Sequence, residues 1–126
     1  MAITCSISGS VQVTDNASGS IALSQLQNFS YVGSVFEYTN QGSVGTSPTS
    51  ITFPIAAVQF LKIQNLSTTT TLAVAWTKNG GSSVAVITLD PGGVIQYCET
   101  TTSNGITALT LTGGAAATPY SMILAG

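Results

Sequence analysis

Short apolar runs separated by clusters of turn-forming residues organise this chain, and almost nothing in it follows a helical period. Apolar residues two apart line one face of a pleated strand, whereas a helix needs them three and four apart. Leu72, Val74 and Trp76 alternate with Ala73 and Ala75, and Leu61 and Ile63 alternate with Phe60 and Lys62. The breaks between runs are equally informative. Asn79-Gly80-Gly81 suits a tight hairpin, because such residues reach positive φ cheaply. In Asp90-Pro91-Gly92-Gly93 proline presets φ at the second turn position and glycine suits the third, which predicts a type II turn. Residues that favour exposed helix (Glu, Lys, Arg) are scarce, while Thr, Val, Ile, Ser and Gly dominate.

These signals predict strands over Ile3–Ser8, Val11–Thr14, Phe29–Thr39, Ser50–Phe53, Val58–Asn65, Leu72–Thr77, Ser83–Leu89, Val94–Glu99, Ile106–Thr112 and Tyr120–Ala125. Ser20–Leu26 reads as a further strand or as one helical turn. Asn40–Ser50, with Gly42, Gly45 and Pro48, reads as a loop containing a short extended piece, and Gly113–Pro119 as a flexible linking loop. About eight to ten strands without a crossover helix require antiparallel pairing. The expected fold is therefore all-β: an antiparallel two-sheet sandwich, jelly-roll-like, forming a single β-sandwich domain over residues 1–126, with a closed barrel as the alternative. Trp76, Phe60, Phe53, Phe36, Leu109 and Leu111 are the expected core.

Charge narrows function. Of 126 residues only two are Lys and four are Asp or Glu; Arg and His are absent, the net charge is −2, and charged residues make up 5%. A typical soluble domain carries about 25%. Two lysines cannot supply the basic footprint that displaces counterions from phosphates, so no nucleic-acid partner is expected. No stretch is long and apolar enough to predict a membrane-spanning helix. Catalysis or metal binding through histidine is excluded. A free monomer usually relies on mixed surface charge for solubility and on edge lysines to block strand pairing. This chain has little of either. Interface cores are depleted of charge because desolvation is costly, so a homo-oligomer held by apolar and hydroxyl contacts is the expectation.

No arrangement predicts an enzyme or a cofactor. The carboxylates Asp15, Glu37, Asp90 and Glu99 are scattered, with Asp15 and Asp90 in turn signals where short acceptors brace the backbone. Two cysteines without histidine give neither a catalytic pair nor zinc-ligand spacing. The glycine pairs Gly80-Gly81, Gly92-Gly93 and Gly113-Gly114 lie between strands and read as turns rather than phosphate cradles. Cys5 and Cys98 could form one disulfide; without a basic and apolar leader at the N-terminus, two reduced thiols are expected instead. Two sets of residues could form binding surfaces or serve core and turn roles. Trp76 with Tyr97, Tyr31 and Tyr38 would make a sugar-stacking platform if exposed, but alternation with Leu72 and Val74 places Trp76 inside. Thr68–Thr71 and Thr100–Thr102 would make a flat hydroxyl face, yet only Thr110 and Thr112 show strand spacing.

Phe60-Leu-Lys-Ile-Gln-Asn-Leu66, Leu72-Ala-Val-Ala-Trp76, Leu89-Asp-Pro-Gly-Gly-Val94 and Ile106-Thr-Ala-Leu-Thr-Leu111 follow one another in an order that resembles small β-sandwich structural proteins of tailed bacteriophages. The ending Tyr120-Ser-Met-Ile-Leu-Ala-Gly126 adds to the likeness, which covers roughly residues 50–126. The resemblance implies a non-enzymatic virion protein without catalytic or cofactor-binding residues, assembled in the host cytoplasm. The implied role is a capsid decoration (cement) protein on the capsid exterior, oligomeric and with a trimer as the first expectation, whose partners are the major capsid protein or other virion proteins. A tail, baseplate or fibre component is the runner-up. A secreted glycan-binding module is the rival from another class.

Overall fold

A computed structural model describes residues 3–14, 21–33, 36–81, 86–99 and 101–126, with side chains from residue 38 onward. Ten strands account for nearly all of its regular structure: β1 (Ile3–Thr14), β2 (Ile21–Gly33), β3 (Phe36–Val44), β4 (Thr49–Ile51), β5 (Phe60–Asn65), β6 (Leu72–Lys78), β7 (Ile87–Leu89), β8 (Val94–Cys98), β9 (Ile106–Gly113) and β10 (Thr118–Ala125). A single 3-10 turn at Thr102–Asn104 is the only helical piece among the described residues. The expected all-β sandwich is observed. β3 to β10 form two antiparallel four-stranded sheets, ordered β3-β10-β5-β8 and β4-β9-β6-β7. This is the jelly-roll winding, in which successive strands are shared between two facing sheets.

The core lies between the sheets because alternation points one set of side chains inward from each strand. Leu61 and Ile63 of β5, Leu72, Val74 and Trp76 of β6, Leu109 and Leu111 of β9, and Tyr120, Met122 and Leu124 of β10 fill it. Phe53 is half-buried against this cluster. Phe60 is buried too, but on the other side of its sheet, where it forms a second cluster with Ala125, flanked by Cys98 and Ile123. Its register explains the difference: Phe60 is one residue out of phase with Leu61 and Ile63 and pairs with Ala125 and Cys98. The side chain of Phe36 lies outside the described residues.

Three sequence expectations need correcting. Ile3–Ser8 and Val11–Thr14 form one continuous strand, which pairs with β2 from Ile3↔Gly33 to Thr14↔Ile21 as a separate two-stranded ribbon. The ribbon's strands, about 12 residues each, would extend roughly 40 Å at the usual antiparallel rise. Of the expected Ser20–Leu26 element, Ser20 lies outside the described residues and the rest, from Ile21 onward, belongs to β2, and the expected Phe29–Thr39 strand is divided between β2 and β3. Second, the expected loop Asn40–Ser50 is strand as far as Val44, paired with β10 through Thr118↔Val44 and Tyr120↔Gly42. It is an edge strand with one solvated face, so polar residues and glycine occupy it. Third, Gly113–Pro119 is a tight connection rather than a flexible one. Gly114 N–H donates to the Thr71 carbonyl at 2.8 Å, and Thr118 is buried and already paired.

The turns follow the sequence more closely. Gly93 N–H donates to the Asp90 carbonyl at 2.8 Å and Gly92 has φ +78°, as a type II turn requires. Gly80 and Gly81 have φ of +96° and +92° at the end of β6.

Candidate functional site

Asn65 shows why the quoted motifs occur together. It is fully buried at the end of β5. Its Nδ2 donates to the carbonyls of Thr70 (2.8 Å), Leu89 (3.1 Å) and Asp90 (3.1 Å), while its Oδ1 accepts from Ser67 N–H at 3.0 Å. One amide thus joins the end of β5 to the 67–70 turn and to the Asp90-Pro-Gly-Gly turn. Ser67 Oγ accepts from the N–H groups of Thr69 and Thr70, and Thr70 Oγ1 lies 2.8 Å from Ser67 Oγ and 3.3 Å from Thr118 Oγ1. The Thr68–Thr71 run is therefore a hydroxyl-braced turn, with Thr70 directed toward buried partners rather than onto a flat face.

The aromatic platform is not assembled either. Trp76 is 7% exposed and belongs to the core, with its ring centroid 5.9 Å from that of Tyr97. Trp76 Nε1 is shielded from solvent and has no hydrogen-bond partner among the described residues. Tyr97 donates its hydroxyl to the Asn104 carbonyl at 2.8 Å, and Lys78 Nζ sits 5.5 Å from its ring centroid, within cation–π range. Tyr38 stands apart on edge strand β3, 57% exposed. The side chain of Tyr31 lies outside the described residues.

The acidic residues are likewise dispersed. Asp90 is an exposed turn residue, Glu99 accepts from Thr101 N–H through Oε1 at 3.4 Å, and Asp15 and the side chain of Glu37 lie outside the described residues. No group of three or more acidic, cysteine or histidine residues comes together among the described residues. A shallow groove on the outer face of the β3-β10-β5 sheet runs beside Tyr38, Lys62, Gln64 and Ile123, open to solvent and with one cation. No described helix is long and apolar enough to cross a membrane.

What the fold does concentrate is exposed apolar surface at the sheet edges. The four-residue turn Asp90–Gly93 carries the chain from edge strand β7 to edge strand β8, so both edges lie on one lateral side of the sandwich. Residues 45–48 join edge strands β3 and β4 in the same way on the opposite side. Val86 (61% exposed), Ile87 (36%) and Val94 (50%) lie on the first side, and Tyr38 on the second. These four are the exposed large hydrophobic residues among those described. β4, β7 and β8 carry no charged residue, edge strand β3 carries Glu37, Asp90 and Glu99 adjoin the β7/β8 side, and both lysines lie on interior strands β5 and β6. The outer face of the β4-β9-β6-β7 sheet is also neutral, with Ala73 opposite Thr112 and Ala75 opposite Thr110. The charge deficit was legible in the sequence; that both lysines would fall on interior strands was not, because edge position is set by long-range pairing.

No family model matches the chain, and no curated protein matches it. Among solved structures, the fold is similar to that of a subunit of Bacillus endospore appendages, which form a family of disulfide-linked pili. The TM-score is 0.51 at 13% sequence identity, over 72% of this chain and 84% of that one. At that identity the likeness is one of fold.

Proposed function

We propose that this chain is a non-enzymatic structural subunit that associates with copies of itself, and that it serves in a tailed-bacteriophage virion as a capsid decoration protein. The observation that carries the reading is the pair of lateral sides whose edge strands hold no lysine and, apart from Glu37 of β3, no charged residue, and which bear nearly all the exposed large apolar residues. Exposed edges of this kind are pairing templates that free monomers normally blunt. The virion setting rests on the order of motifs from Phe60 to Gly126. The partners in this reading are other copies and the major capsid protein, with no cofactor, nucleic acid or membrane involved. The test is immunogold labelling of particles purified from the source culture. Gold on capsid exteriors is expected; label that stays with particle-free protein would overturn the virion reading.

A fibre subunit is the second reading, favoured by the similarity to a protein that forms pili. If it also shared the disulfide linkage of those pili, Cys5 of β1 and Cys98 of β8 would join copies covalently. A ladder on a non-reducing gel of the assembled protein, collapsing with reductant, would support this reading. Two titratable thiols per chain, which the decoration reading expects of protein made in a cytoplasm, would exclude that covalent linkage.

A further inference from the structure

We propose that copies add head to tail through their sheet edges, the β7/β8 side of one copy seating on the β3/β4 side of the next, so that both sheets continue across the joint. The inference rests on the self-association reading and names its surface and its partner, a second copy of this chain.

Strand direction carries the argument. In the first sheet β3 is antiparallel to β10, β10 to β5 and β5 to β8, so β8 runs opposite to β3. In the second sheet β4, β9, β6 and β7 alternate likewise, so β7 runs opposite to β4. A copy displaced along the sheets without turning over therefore sets its β3 antiparallel to β8 and its β4 antiparallel to β7. Both new pairings are of the kind already present throughout the sandwich. They become available together because each lateral side carries one edge from each sheet.

The side chains distinguish this joint from a two-fold one. Val86, Ile87 and Val94 give one side aliphatic surface beside the neutral Thr88 and Gln96, whereas Tyr38, Asn40, Gln41, Thr49 and Ser50, on the side whose strand β3 also carries Glu37, make the other aromatic and polar. A two-fold contact would place like on like and leave one side of each copy open. Head-to-tail addition covers both sides of every interior copy, with an aromatic ring available to the aliphatic surface. Such heterologous contacts close into rings where the rotation permits and otherwise run on as fibres. Four strands per copy at the usual inter-strand spacing give a repeat of about 19 Å along the sheets.

The test uses the full chain in two variants whose changes lie at exposed positions. Ile87→Lys with Val94→Lys blocks the β7/β8 side, and Tyr38→Lys with Ser50→Lys blocks the β3/β4 side. Circular dichroism confirms that each is folded, and light scattering after size exclusion reads the mass. The wild type is expected to assemble, and each variant alone to be monomeric at concentrations at least tenfold above the wild-type midpoint. An equimolar mixture should give a heterodimer and nothing larger, since one good side remains on each partner. A variant that keeps the wild-type mass, or folded variants that fail to combine, would overturn the edge proposal while leaving a self-associating subunit in place. A wild type that is monomeric throughout would overturn the proposal together with self-association, and the virion assignment would stand or fall separately on the labelling of particles.

Discussion

Three side chains show how far single residues govern this fold. Asn65→Ala would remove this amide from the Ser67 N–H and from the Thr70 and Leu89 carbonyls, while the Asp90 carbonyl keeps the Gly93 N–H. An unsatisfied buried polar group costs about 1–3 kcal/mol, so a loss of about 3 kcal/mol is expected in urea unfolding. Asn65→Asp should be no better, since it removes the donors and buries a charge. Trp76→Ala should cost about 3–5 kcal/mol, the range for deleting a large core aromatic; Trp76→Phe should cost less, because it also removes the unpartnered Nε1. Unfolding followed by urea in both variants checks the order. Tyr120 adds a pH dependence, since burial raises its hydroxyl above the ordinary tyrosine value. Below a pH of about 10 both folded and unfolded states keep that proton. As pH rises past this point the unfolded chain loses it first, so stability falls until the folded hydroxyl also ionises. Melting curves across pH 9–12 should show a shallower alkaline loss for Tyr120→Phe than for the wild type. Equal slopes would mean that another group controls the alkaline limb.

At the scale of elements, two glycines are required for different reasons. Gly92 has φ +78° and open space around it, so Gly92→Ala should cost only the left-handed backbone penalty, roughly 1–2 kcal/mol. Gly42 has no such φ, but a Cβ there would overlap the ring of Tyr120 on the paired strand. Gly42→Ala should therefore cost about 1–3 kcal/mol through overpacking, and less when combined with Tyr120→Ala. A double-mutant cycle measures that coupling; strict additivity would show that the ring is not what Gly42 accommodates. These glycines also mark what was legible in the sequence. Asp90-Pro-Gly-Gly announces its turn locally, through residues that each set their own φ, and β6 announces its faces by alternation. The strand through Asn40–Val44 does not. Its glycine makes sense only beneath a tyrosine 78 residues later, and its polar residues suit an edge that the local sequence cannot reveal. Phe60 illustrates the same limit: its burial was legible, but a phase difference of one residue puts it in another layer.

For the whole molecule, the sequence disclosed a charge deficit and the structure shows that neither lysine stands on an edge strand. Which strands become edges depends on eight strands being wound into two sheets, so Val94 looked like any other strand valine until its neighbours were known. The consequence concerns the forces that hold copies together. With two lysines, four acidic residues and no arginine, few ion pairs can form at any joint. The contacts must rest on apolar burial and neutral hydrogen bonds. Salt screens exposed charges over about 8 Å at physiological ionic strength, whereas excluded salts such as sulfate strengthen apolar burial. The association midpoint should therefore change by less than about twofold between low and high sodium chloride, under 0.5 kcal/mol at ~1.4 kcal/mol per tenfold, and should shift toward assembly in ammonium sulfate. Light scattering across a concentration series in each salt provides the measurement. An assembly that dissociates as sodium chloride rises would transfer the weight to Lys62, Lys78 and the carboxylates, and would remove apolar edge contact as the force that joins the copies.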